Sequence, residues 1–233
     1  MTEDDPTKSH RYNRQWRPEK LGFMLPGDFV LGDWEMTAYA VPLSNVDKMA
    51  AASAEAFIGN DDPIGRFLFD GEPNHLELKR RFFRSLVTSC APNALRQASS
   101  DKMEAVSIWF QPGLGHEEDV EDDPFEAEDF SNPETPARLE AVGNVITELT
   151  ACLGKEPQWY LHLVAVRPPF MNQGYSSRLV QPVLAQARAE GLPCTLITQS
   201  AGNARKYEHW GFRVVREMPV PGSVERFYSM RRD

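Results

Sequence analysis

Apolar and polar positions along this chain mark out an alternating series of strands and helices. Met36–Val41 reads as a strand stopped by Pro42. Ser44, with Asp47 three residues on, has the form of a capping box. Met49, Ala52, Ala56 and Phe57 then recur at helical spacing up to Gly59-Asn60. Residues 60–75 hold Pro63, Gly65, Gly71 and Pro73 and read as turns. A second helix, Leu76 to Ser89, carries Leu78, Phe82, Phe83 and Leu86 on one face. Two short strands follow, Ala94–Ala98 and Ala105–Phe110, joined by the turn residues Ser99-Ser100-Asp101-Lys102. After a helix from Ala137 to Leu153 comes the most apolar strand, Trp159–Val166. Its near-continuous hydrophobicity predicts burial on both faces. A loop and Gly174 lead into a helix, Ser176–Glu190, which Pro182 kinks unless it lies in the first turn. Strand Cys194–Thr198, a short helix Asn203–Trp210 and strands Phe212–Met218 and Phe227–Met230 complete the series. This order describes one α/β domain with a mixed sheet.

The flanks differ from this pattern. Residues 1–35 read as an N-terminal extension, punctuated by Pro18, Gly22, Pro26, Gly27 and Gly32. Its apolar residues from Leu21 to Leu31 predict that its second half is packed; the other reading is a tail without order. The domain itself is expected over 36–233, with an acidic loop at 114–136. Within that loop, Glu117–Asp129 holds nine acids and no base, a solvated segment or an electrostatic funnel for a cation.

Composition then removes whole classes of function. At 233 residues and 41% hydrophobic content the chain can bury a core without staples. No run approaches the ~20 apolar residues of a membrane span, and residues 1–20 lack the apolar stretch of a secretory signal. Three widely spaced cysteines form neither a disulfide framework nor a zinc motif, which fits a reducing, cytoplasmic setting. The five histidines are scattered, so no metal site is expected. With 25 basic against 34 acidic residues the net charge is −9, which argues against nucleic acid and favours small cations as partners.

The chemistry concentrates between Trp159 and Phe212. An apolar strand, a loop, Gly174 and a helix start make a site where unpaired amides and the helix dipole receive phosphate. The competing reading of Gly174 is a close helix–strand contact. Asn203 and Tyr207, four residues apart, share one face of the short helix. A tyrosine hydroxyl there can donate to a departing thiolate; the competing reading is a packed aromatic.

These residues resemble the GNAT superfamily of acyl-CoA-dependent N-acetyltransferases. The family loop V-x-P-x-x-Q/R-x-x-G-x-G/A falls without a gap on Val166-Arg167-Pro168-Pro169-Phe170-Met171-Asn172-Gln173-Gly174-Tyr175-Ser176. Glu190-Gly191-Leu192-Pro193-Cys194 matches a phrase that often closes the following helix. The last motif, N-x-x-x-Y-x-x-x-G-F, is intact from Asn203 to Phe212. The resemblance implies a GNAT-like, mostly antiparallel mixed sheet of about seven strands flanked by helices. It implies acetyl-CoA as co-substrate and a small-molecule amine as acceptor, beside the expectation from composition of no metal, nucleic acid or membrane partner; a homodimer is possible. Pantetheine would run between parted strands and pair with backbone at Val164, Ala165 and Val166. The pyrophosphate would rest on amides of Met171, Asn172, Gln173, Gly174, Tyr175 and Ser176. Asn203 would hold the pantetheine arm, Tyr207 would act as general acid, and the Val164 N–H would stabilise the oxyanion.

The chain departs from the family at Met171, Asn172 and Ser176, and at Ile197, where relatives often carry Glu. The base is therefore open. His162, which alternation puts on one face with Tyr160, Val164 and Val166, is one candidate, or else a core histidine. Glu35, Asp61, Asp62 and the acids of 117–129 are others, acting through water. Three functions follow: an N-acetyltransferase for a small amine, a repurposed GNAT-fold protein binding acyl-CoA or another ligand without catalysis, or an acyltransferase using other acceptors or longer acyl groups.

Overall fold

The computed structural model describes residues 38–58, 62–89, 94–113 and 124–233. The expected extension 1–35, the start of the first strand and residues 114–123 of the acidic segment lie outside them. Among the described residues, no helix is long and apolar enough to cross a membrane.

Seven strands form one sheet among the described residues. In chain order they are β1 (Tyr39–Ala40), β2 (Ala94–Ala98), β3 (Ala105–Phe110), β4 (Trp159–Val166), β5 (Cys194–Gln199), β6 (Arg213–Pro219) and β7 (Arg226–Arg232). Their spatial order is β1-β2-β3-β4-β5-β7-β6. Only β4 and β5 run parallel; every other pairing is antiparallel. The mostly antiparallel mixed sheet expected from the resemblance is thus present.

Among the described residues six α-helices cover the two faces: α1 (Val46–Ile58), α2 (Pro63–Leu68), α3 (His75–Thr88), α4 (Thr135–Ala151), α5 (Tyr175–Glu190) and α6 (Ala201–Glu208). Met49, Ala50 and Ala56 of α1 pack on Val106, Ile108, Leu163 and Ala165. Farther along that face, Ile64 and Leu68 of α2, Leu78 of α3 and Val142, Val145 and Leu149 of α4 meet Phe227. On the opposite face Val180, Val183 and Leu184 of α5 and Ala204 of α6 pack on Trp109, Leu161, Leu196 and Met230. Burial of these apolar side chains, at about 25 cal/mol per Å² removed from water, holds the layers together.

Several expected details change. Ser44 is not a cap: it lies inside a 3-10 turn, Leu43–Asn45, that leads into α1. The turn-rich stretch contains a helix, α2, whose N-cap is Asp62 with Pro63 at N1. Pro182 sits well inside α5, where it removes a backbone donor. Part of the acidic segment is built into the fold, since Asp129 accepts from Arg81 at 2.6 and 2.8 Å.

The largest correction concerns β4. Its residues alternate buried and half-buried instead of being covered on both faces. The register against β3 pairs Ile108 with Leu163 but Trp109 with Leu161, leaving His162 as the extra residue of a bulge. A one-residue slip exchanges the two faces of a strand. Trp159 and Leu161 therefore face α5, whereas Leu163 and Ala165 face α1. Tyr160 and His162 remain together around Phe110, at ring distances of 6.3 and 5.2 Å. Val164 packs on the other face, so the face shared by alternation does not exist.

Candidate functional site

β4 and β5 pair only through Trp159↔Cys194, Tyr160↔Thr195 and Leu161↔Leu196. Beyond the bulge they part, β4 continuing to Val166 and β5 to Gln199. The gap opens into a cleft of about 430 Å³. Val164, Ala165 and Val166 line it, as do Met171, Asn172, Gly174, Tyr175 and Ser176 of the following loop and helix start. Asn203, Lys206, Tyr207 and Trp210 form the α6 wall; Ala56, Phe57, Asp62 and Pro63 stand across from them. Gln173 and His162 are not on the lining: Gln173 Nε2 donates to the Pro169 carbonyl at 3.1 Å, and His162 Nε2 lies 3.3 Å from the Leu86 carbonyl.

The loop after β4 has a physical reason for its shape. A 3-10 turn, Pro168–Phe170, is followed by left-handed backbone at Asn172 (φ 60°) and Gly174 (φ 78°). Asn and Gly tolerate that region best. No atom lies within 4 Å of where a Cβ on Gly174 would stand, so the backbone angle, not a close helix–strand contact, calls for glycine. Gly174 is the N-cap of α5 and offers no side-chain cap. The first amides of a 16-residue helix are left for a ligand, at the positive end of its dipole.

On α6, Ser200 is the N-cap, its Oγ accepting from the Asn203 N–H at 3.3 Å. Asn203 Nδ2 donates to the Gln199 carbonyl at 3.1 Å, and its Oδ1 accepts from Lys206 at 3.3 Å. The Tyr207 ring is held edge-on by Trp210 (5.5 Å) and Phe212 (6.1 Å). Removal from water pushes the Tyr207 phenol above the ordinary tyrosine range. It stays protonated at neutral pH and so has a proton to donate.

The opposite wall carries a group that spacing alone did not distinguish from other acids. Asp62 is 5% exposed. Its Oδ1 accepts from the Gly65 N–H at 3.0 Å and from Gln199 Nε2 at 3.5 Å. Lys79 Nζ, from α3, lies 3.9 Å from its Oδ2. Asp62 and Gln199 come from segments far apart in the chain, and no motif links them. The only local signal was the Asp62-Pro63 pair, a helix-start signature.

A coenzyme A molecule asks for amide donors at its diphosphate and for strand backbone beside its amide-bearing arm. The parted edge of β4 and the start of α5 supply both, so the residues present fit the group. Residues 104–212 match the family model described as Acetyltransferase (GNAT) family. An uncharacterised N-acetyltransferase of Schizosaccharomyces pombe is 25% identical over 191 residues, 76% of this chain and 74% of that protein. A Corynebacterium glutamicum structure described as histone acetyltransferase HPA2 and related acetyltransferase superposes with a TM-score of 0.56 at 19% identity, covering 84% of this chain and 94% of that one. A mosquito arylalkylamine N-acetyltransferase-like protein gives 0.55 at 15% identity, covering 84% and 98%. Residues 104–212 thus match the GNAT acetyltransferase family model, and the described residues share their fold with acetyltransferase structures.

Proposed function

We propose that the protein transfers an acetyl group from acetyl-CoA to a small-molecule amine by direct attack within a ternary complex. The observation that carries this reading is the gap between β4 and β5, with the loop of left-handed Asn172 and Gly174 at one end and Tyr207 on its wall. Acetyl-CoA supplies an activated thioester carbonyl. Backbone at Val164 and Val166 pairs with its arm, with Ala165, bonded to β3, between them; amides from Met171 to Ser176 meet its diphosphate; Asn203 holds the arm from α6. The Val164 N–H faces the carbonyl oxygen as charge builds there.

For the acceptor, this reading takes Asp62 as the base instead of His162, whose ring turns to Leu86 on the α3 side. Asp62 holds the acceptor ammonium and takes one of its protons. As the C–N bond forms and the C–S bond breaks, the nitrogen loses a second proton. Tyr207 donates its O–H to the leaving sulfur, and that second proton replaces the one it gives up. Phe57, stacked on Phe83 at 4.3 Å, offers an apolar wall for the body of the amine. The amine named for the mosquito protein, an arylalkylamine, has this combination of cation and ring. Juxtaposing both reactants in one cleft supplies much of the acceleration.

CoA release measured across aryl and alkyl amines tests the proposal. Tyr207→Phe is expected to lower kcat about 100-fold while leaving acetyl-CoA affinity unchanged by calorimetry. Unchanged turnover would take Tyr207 out of the mechanism. Tight acetyl-CoA binding without transfer to any amine would favour a non-catalytic role.

A further inference from the structure

Lys79 is a lysine on the wrong side of its helix. The buried face of α3 is Leu78, Phe83 and Val87, and Lys79 lies among them at 7% exposure. Its ammonium ends 3.9 Å from Asp62 Oδ2, where the Asp62 side chain is 2% exposed. Burying a lysine is costly, and an apolar side chain of similar volume would serve packing at least as well. The chain also keeps room for the pair. A Cβ on Gly65 would stand 2.0 Å from Asp62 Oδ2 and 2.8 Å from Lys79 Cε. Glycine in the first turn of α2 is what lets the carboxylate and the ammonium lie against the helix backbone.

We propose that Lys79 is a positioning residue that keeps Asp62 ionised and aimed along the cleft wall. This rests on the reading of Asp62 as the group that receives the acceptor amine. A carboxylate this buried favours its neutral form, and a cation within ~4–6 Å reverses that preference. Among the described residues, the groups around Asp62 are distinct in kind. The Gly65 N–H of α2 and the Gln199 amide of β5 donate to Oδ1. Lys79 of α3 faces Oδ2. Lys206 and Tyr207 of α6 stand on the cleft lining, and Arg66, farther along α2, is exposed. Lys79 is thus a buried cation facing Asp62 Oδ2, and its loss removes a charge that opposes protonation of Asp62.

The pH dependence of kcat/KM with a fixed amine tests this in the full chain. The unsubstituted protein is expected to lose activity on an acid limb that Asp62→Asn abolishes. Lys79→Met is expected to move that limb up by at least about one pH unit. This is about a tenfold loss at pH values below both limbs, fading above them, with acetyl-CoA affinity unchanged. Lys79→Gln keeps a polar stem and carries the same expectation should K79M fail to fold, as judged by its melt. Lys79→Arg, which keeps the charge, is expected to leave the limb in place. If K79M and K79Q both leave the limb where it was while D62N removes it, Lys79 has no such role although Asp62 stands as base. If D62N retains both limb and rate, the reading of Asp62 falls and the role of Lys79 falls with it.

Discussion

Replacing Gly65 with alanine sets two effects of opposite sign against each other. Helix propensity alone favours alanine over glycine by about 1 kcal/mol. At Gly65, however, the new Cβ would meet Asp62 Oδ2 at 2.0 Å and Asp62 Cγ at 3.0 Å, where ordinary contact begins at 3.4 Å. The obstacle on the other side, Lys79 Cε at 2.8 Å, is itself buried and has little room to yield. Asp62 must therefore swing away by more than an ångström. That breaks the N-cap bond to Gly65 N–H, worth about 1 kcal/mol, and overpacks the site at a further ~1–3 kcal/mol. The net expectation is a loss of about 1–3 kcal/mol, or roughly 2–12 °C in Tm for a domain of this size. Acetyl transfer should fall with it, because Asp62 leaves the cleft wall. Gly143→Ala is the control. Gly143 lies in α4, and a Cβ there has no atom within 4 Å, so propensity acts alone and Tm should rise by about 2–4 °C. Thermal melts and CoA-release rates of the two variants decide the matter. A G65A protein that melts higher than the parent, as G143A is expected to do, would refute the packing of the Asp62–Lys79 pair against α2.

Two further outcomes follow from other parts of the fold. Glu72, 3% exposed, accepts from Ser131 N–H, Asn132 N–H and Thr135 Oγ at 2.9, 3.1 and 2.6 Å and so ties the α2–α3 turn to the start of α4. Burial pushes its carboxyl up, but the hydrogen bonds from Thr135, Ser131 and Asn132 outweigh that and hold it below the ordinary range. The stabilisation is present above the unfolded-state pKa and is lost as pH falls through the lower folded value. Glu72→Gln should therefore cost about 1–3 kcal/mol at neutral pH. Its Tm should also fall less than the parent's on acidification, and parallel Tm-versus-pH curves would contradict this. Burial pushes the Cys194 thiol up to about 12, so it should resist alkylation until the chain unfolds, while exposed Cys152 reacts in the native state. Peptide mapping after labelling reads both, and native modification of Cys194 would show that β5 opens.

What the chain specifies locally was open to reading. Ala94–Ala98, Ala105–Phe110 and Trp159–Val166 are strands with the bounds their apolar runs predict. Asn203 and Tyr207 do lie on one wall of the cleft, because a spacing of four residues fixes a shared helix face wherever the helix is put. The left-handed turn at Asn172 and Gly174 uses residues that tolerate such angles, although Asn172 stood out in the sequence only as a departure from the family pattern.

The bulge was not legible. A slip in β4 leaves a trace only if polar and apolar residues alternate, and Trp159–Val166 is apolar at almost every position. Its partner strands decide where the extra residue goes, and with it which way His162 turns and where β4 leaves β5. The Asp62–Lys79 pair was hidden for a related reason. Asp62 looked like one acid among several, and nothing in the sequence joined it to Lys79 until α2 and α3 folded back over the end of β5. Short-range sterics and hydrophobic period act between neighbours along the chain and determine its elements and the turn of the loop after β4. The parting of two strands and the meeting of a buried acid with a buried base depend on contacts between distant segments, which exist only once the sheet has closed.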